Sequence, residues 1–128
     1  MCIRDSIDSS EPIGPSTPLH GEEFYSRLKT RLNPGGIIMA QVASPFFHLD
    51  QIEKKHAFLK DLFFHARFFL GTVPTYPGGS WCYIYLSDST DPLDVKREPA
   101  EGLKVFNNEH YRAAFALPNY VKDKLGLS

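Results

Sequence analysis

Asp8 and Glu11 lie on a stretch rich in Ser, Pro and Gly, Gln41 ends a short apolar run, and Tyr76 sits inside Pro74-Thr75-Tyr76-Pro77-Gly78-Gly79. Ionised carboxylates only accept hydrogen bonds, and the glutamine carbonyl and the tyrosine oxygen accept them as well. Gathered on one rim, these four side chains make an acceptor-rich site that suits a cationic ligand, amines in particular. A carboxylate in such a place can also take a proton from a reacting group. Each residue alone has an ordinary reading too. Asp8 and Glu11 serve equally as loop or helix-capping acids, Gln41 as a polar group at a strand end, and Tyr76 as an aromatic lid on a core. The elements that carry them decide between the two readings.

Ile3 and Ile7 read as the stub of a strand, and the Ser-, Pro- and Gly-rich residues from Asp8 to Pro18 read as a loop. Gly21 to Leu32 has the spacing of an amphipathic helix, with Phe24, Leu28 and Leu32 on one face, and Asn33-Pro34-Gly35-Gly36 stops it. Ile37 to Val42 is a continuous apolar run, as suits a strand covered on both faces. A helix from about Leu49 to Phe64 follows, then strands at Ala66 to Val73 and Trp81 to Leu86. The tight Pro-Gly-Gly connection makes that last pair antiparallel. Thr90 to Gly102 is a charged loop, and Asn107 to Leu117 and Asn119 to Leu125 form two closing helices around Pro118. The alternation is that of an α/β fold, the second half of a doubly wound sheet. Ligands of open α/β sheets bind beyond the carboxyl ends of the strands. Asp8 follows the stub, Gln41 closes the second strand, and Tyr76 lies just past the third.

With 128 residues the chain fits one domain, and 42% hydrophobic with 23% charged residues is ordinary for a globular protein. A formal net charge of -1 gives no electrostatic case for nucleic acid. No apolar run approaches the roughly 18 residues that cross a bilayer. Cys2 and Cys82 cannot make a disulfide framework or a metal cluster by themselves, which points to a reducing cytoplasm. His20, His48, His56, His65 and His110 fall in no zinc spacing and read as surface or packing residues, so no metal is expected.

Taken together, the motifs resemble the spermidine synthase family of polyamine aminopropyltransferases. Asp8-Ser9-Ser10-Glu11-Pro12-Ile13-Gly14-Pro15 resembles the family's Asp-Ser-(Ser/Thr)-(Asp/Glu)-Pro-x-Gly-Pro loop. Pro74 to Trp81 is similar to its Pro-Thr-Tyr-Pro-Ser-Gly segment, and Ala40-Gln41 with Phe47-His48-Leu49-Asp50 falls between the two in order. His110 to Pro118 resembles its His-Arg-Ala-Ala-Phe-x-Leu-Pro ending. The four blocks cover nearly everything from Ile7 onward.

The resemblance implies a Rossmann-like, methyltransferase-type fold and transfer of an aminopropyl group from decarboxylated S-adenosylmethionine, the co-substrate, to putrescine or a similar diamine. It makes Asp8 the catalytic acid that accepts the amine's proton, and Glu11, Gln41 and Tyr76 the diamine-binding residues. Pro15 becomes a residue of the adenine pocket, where Ser16 departs from the usual Ala. The physical task is plain. Neutralising a primary amine with a pKa of about 10.4 at neutral pH costs roughly 4–5 kcal/mol. An ordinary aspartate is a weak base for that proton, so burial of Asp8 beside Glu11 is expected to strengthen it. The resemblance further implies a homodimer or homotetramer at full length.

In the family, the Gly-rich cofactor loop and the acids that hold the ribose and the cofactor's amine precede the Asp8 loop. No Gly-x-Gly occurs in this sequence. The expectation is therefore that residues 1–6 are an extraneous start and residues 7–128 the carboxyl-terminal part of the catalytic domain, inactive alone. Spermine and thermospermine synthases and putrescine N-methyltransferases share this scaffold and remain open alternatives. So does a degenerate homologue acting as a binding module.

Overall fold

The computed structural model describes residues 2–8 and 13–127. Four strands, β1 (Cys2–Ile7), β2 (Leu32–Ala43), β3 (His65–Thr72) and β4 (Ser80–Ser87), form one sheet in the order β1-β2-β4-β3. β1 pairs parallel to β2, whereas β4 is antiparallel to both β2 and β3. β1, β2 and β3 therefore point the same way and end at one rim, where β4 begins. The antiparallel final pair follows from its short connection, since a parallel return needs a long crossover. The sequence does not disclose that β4 inserts between β2 and β3.

Helices α1 (Glu22–Arg31), α2 (Leu49–Leu62) and α4 (Asn119–Leu125) contribute to the core on one sheet face. Ile38, Ala40 and Ala43 of β2, Phe68 of β3 and Cys82, Ile84 and Leu86 of β4 meet Tyr25, Ile52, Leu59 and Val121 there. This alternation is what a strand with one core-facing row requires. The other face carries Phe69, which packs against Phe115 just after α3 (Asn108–Ala114), at 5.2 Å between ring centroids. Ser87 ties β4 to the start of β2 by donating to the Gly36 carbonyl at 2.9 Å.

Several expected boundaries shift, each for a physical reason. The loop expected from Asp8 to Pro18 contains, in its described part, a 3-10 helix at Gly14–His20. Proline is tolerated there because a short helix start has N–H groups with no intrahelical partner. The stop at Asn33-Pro34-Gly35-Gly36 ends α1 as expected but lies within β2. Between paired positions β1 advances from Cys2 to Arg4 while β2 advances from Leu32 to Ile37, so the surplus bulges out, with Gly35 at φ +77°. The helix expected to reach Leu117 ends at Ala114 with Phe115 as its cap, and Pro118 keeps Leu117, the residue before it, out of the helical region. On α1 the most buried side chain is Tyr25, not a member of the expected apolar face.

Candidate active site

At the common rim, Ser6, Ile7, Asp8, Met39, Ala40, Gln41, Val73, Tyr76 and Tyr83 line a cleft of about 320 Å³. Asp8 arrives directly after β1. Gln41 lies in the regular part of the ladder, opposite Tyr83, and a second bulge follows it, since Ala43 pairs with Cys82, so two steps on β2 match one on β4. Alternation with buried Ala40 puts Gln41 on the cleft side, and the extra residue returns Ala43 to the core, a face that strict alternation would give to Val42.

Tyr76 rides on the β3–β4 connection, which is held by its own backbone. Val73 N–H donates to the Gly79 carbonyl at 2.9 Å, Tyr76 N–H to Val73 at 3.0 Å and Gly79 N–H to Tyr76 at 2.9 Å. Gly78 and Gly79, at φ +80° and +66°, adopt the left-handed backbone that this turn needs and that side chains disfavour. The Tyr76 ring meets the Trp81 indole edge-on, 4.6 Å between centroids. Trp81 Nε1 is buried and has no hydrogen-bond partner among the described residues.

Tyr83 stands opposite both Gln41 and Phe69 in the ladder. Its ring stacks on Phe69 at 5.3 Å and 19°. A Cβ on Gly71 would come within 2.9 Å of Tyr83 Cε2, so glycine there leaves the space the ring occupies. Burial, with Tyr76 and then Asp8 nearby, pushes the Tyr83 phenol above its ordinary pKa and keeps it neutral. Asp8 is the acidic residue at the cleft, and among the described residues no Lys, Arg or His lines it. A cation therefore meets acceptors and a carboxylate there, with no like charge on the walls.

Of the residues singled out from the sequence, Asp8, Gln41 and Tyr76 come together in this cleft. Glu11 lies outside the described residues. Pro15 is exposed on the 3-10 helix and is not among the cleft residues. Asp8 is exposed, so the burial expected of it is not supplied by the described part of this chain. Tyr83 escapes sequence reasoning because it sits in the unbroken apolar run Trp81-Cys82-Tyr83-Ile84-Tyr85-Leu86. Period-2 alternation with Cys82 and Ile84 does put it on the opposite face, but only the register places it opposite Gln41.

The chain is similar to known proteins in sequence and in fold. The model of the spermine/spermidine synthase domain matches residues 3–97. The polyamine aminopropyltransferase of Moorella thermoacetica is 38% identical over 121 residues, covering 93% of this chain and 43% of that protein. That of Caldicellulosiruptor bescii is 37% identical over 119 residues, with 91% and 43% covered. The chain thus spans less than half the length of these curated relatives. Among solved structures, a spermidine synthase in complex with the transition-state analogue AdoDATO superposes with a TM-score of 0.80 at 34% identity, covering 94% of this chain and 43% of that one. Spermidine synthase from Thermotoga maritima gives a TM-score of 0.76 at 34% identity, with 90% and 41% covered. With the family's domain matched over most of its length and its sheet shared with solved spermidine synthases, the chain belongs to the spermine/spermidine synthase domain family.

Proposed function

We propose that this chain carries the amine-binding and proton-accepting part of an aminopropyltransferase that makes spermidine from putrescine, with residues 7–128 as the carboxyl-terminal part of its catalytic domain. The observation that carries the reading is the convergence of Asp8, Gln41 and Tyr76, from three strand ends, on one cleft with no cationic wall among the described residues. In the transfer, the amine nitrogen's lone pair forms a bond to the propyl carbon next to the sulfonium of decarboxylated S-adenosylmethionine. The carbon–sulfur bond breaks with its electrons going to sulfur, which leaves neutral methylthioadenosine. The proton shed by nitrogen goes to the Asp8 carboxylate. Gln41 and Tyr76 orient the diamine, and Glu11 holds its far ammonium, which selects the attacking nitrogen.

The residues toward the nucleoside co-substrate are sparse in this chain. Pro15 is the one matched to its adenine pocket, and no Gly-x-Gly loop is present to approach a nucleotide. The proposal therefore assigns the chain the acceptor side of the reaction and a full-length setting, cytoplasmic and homo-oligomeric, for turnover. Isotope-edited NMR titration of the chain with putrescine tests it. Amide shifts at Asp8, Gln41 and Tyr76 are expected, with D8N weakening binding at least tenfold. Shifts confined to another surface, or none at all, would remove the assignment.

A further inference from the structure

We infer that Tyr83 is an amine-positioning residue, whose phenolic oxygen accepts a hydrogen bond from the same substrate nitrogen that approaches Asp8. The inference rests on the amine reading of the cleft and adds to it an acceptor from a fourth strand. An ammonium group has three N–H donors, and a carboxylate alone leaves part of them to be met by other oxygens. A buried donor left unmet loses the full worth of its hydration. Tyr83 lines the cleft together with Asp8 and Gln41 and is the cross-strand partner of Gln41, so the two oxygens are carried by one ladder position.

The ring is fixed before any ligand arrives. It stacks on Phe69, which is backed by Phe115, and it fills the gap that Gly71 leaves. An acceptor held in place by packing loses little freedom on binding. Phenylalanine would satisfy the same stacking, so the hydroxyl is the part of Tyr83 that packing does not account for.

Calorimetric titration of the chain with putrescine, in the wild type, Y83F, D8N and the double variant, decides the matter. Y83F keeps the ring and is expected to weaken binding roughly 5- to 10-fold without lowering the thermal midpoint. Because both groups serve one nitrogen, the double variant is expected to lose less than the product of the two single losses. Unchanged affinity in Y83F overturns the inference, and so does a fully multiplicative loss, which would place Tyr83 and Asp8 on separate groups. If the wild type itself fails to bind putrescine, the amine reading of the cleft falls first and takes this assignment with it.

Discussion

At the scale of single residues, burial sorts the chemistry of this chain into what is available and what is not. The Asp8 carboxylate is exposed at the rim, where a ligand can reach it. Cys82 is fully buried on the core face of β4, one position from Tyr83, and burial pushes its thiol up to about 12. The thiolate is the reactive form, so both access and ionisation are denied. In a Cys2→Ser variant, a thiol reagent at pH 8 is therefore expected to label no cysteine in the native chain and one after addition of denaturant. Rapid native labelling would mean that β4 opens to solvent far more readily than its packing implies. Gly71 shows the same economy of space from the opposite side. An alanine there meets Tyr83 Cε2 at 2.9 Å, so either the ring or β3 must shift.

At the scale of elements, the cleft depends on parts that never touch it. α3 is capped by Asn107, whose side-chain oxygen accepts from the His110 N–H at 2.7 Å. The helix carries Tyr111, whose ring lies 5.3 Å from that of Phe115, and Phe115 backs the Phe69–Tyr83 stack. Loss of such a cap costs about 1 kcal/mol. Asn107→Ala should therefore raise amide exchange in α3 roughly fivefold while leaving β4 protected. Uniform protection in that variant would show that the cap contributes nothing. These elements were legible to different degrees. Helical spacing exposes α1, whereas β2 and β4 show as short apolar runs bounded by Pro and Gly, which mark a strand but not which face of it meets the core. The helix stop before Ile37 and the loop after Leu86 follow from proline and glycine chemistry. The two bulges in β2 and the insertion of β4 do not, since both depend on which strands pair and in what register. For the same reason, Asp8, Gln41 and Tyr76 could be read as strand-end residues, whereas Tyr83 needed its cross-strand partner to be recognised.

At the scale of the whole molecule, stability turns on a polar pair set between α1 and α2. Lys55 is buried and donates to Tyr25 Oη at 3.2 Å, with its ammonium 5.1 Å from the Tyr25 ring centroid. Burial lowers Lys55 to about 8 and raises Tyr25 to about 12, so the charged form of each is disfavoured in the fold relative to the unfolded chain. For Lys55 the folded value lies below the ordinary 10.5, and the unfolded chain holds the extra proton between about 8 and 10.5. Unfolding free energy therefore rises with pH across that window as the cost of the buried charge disappears. Tyr25 acts in the opposite sense. Its folded value lies above the ordinary 10.0, and it withdraws stability between there and about 12. Cys82 and Tyr85, both raised to about 12 by burial, add to that loss. Replacement of Lys55 by Met isolates the first effect, because the other groups titrate alike in both proteins. K55M removes the buried charge but also the donor to Tyr25, so a net gain of about 1–2 kcal/mol is expected at pH 7. That advantage should shrink as pH passes 8 and vanish or reverse by about 10.5. Urea unfolding of the two proteins at half-unit pH steps measures the difference directly. An advantage that stays constant from pH 7 to 10.5 would show that Lys55 is already neutral, or already solvated, in the native chain.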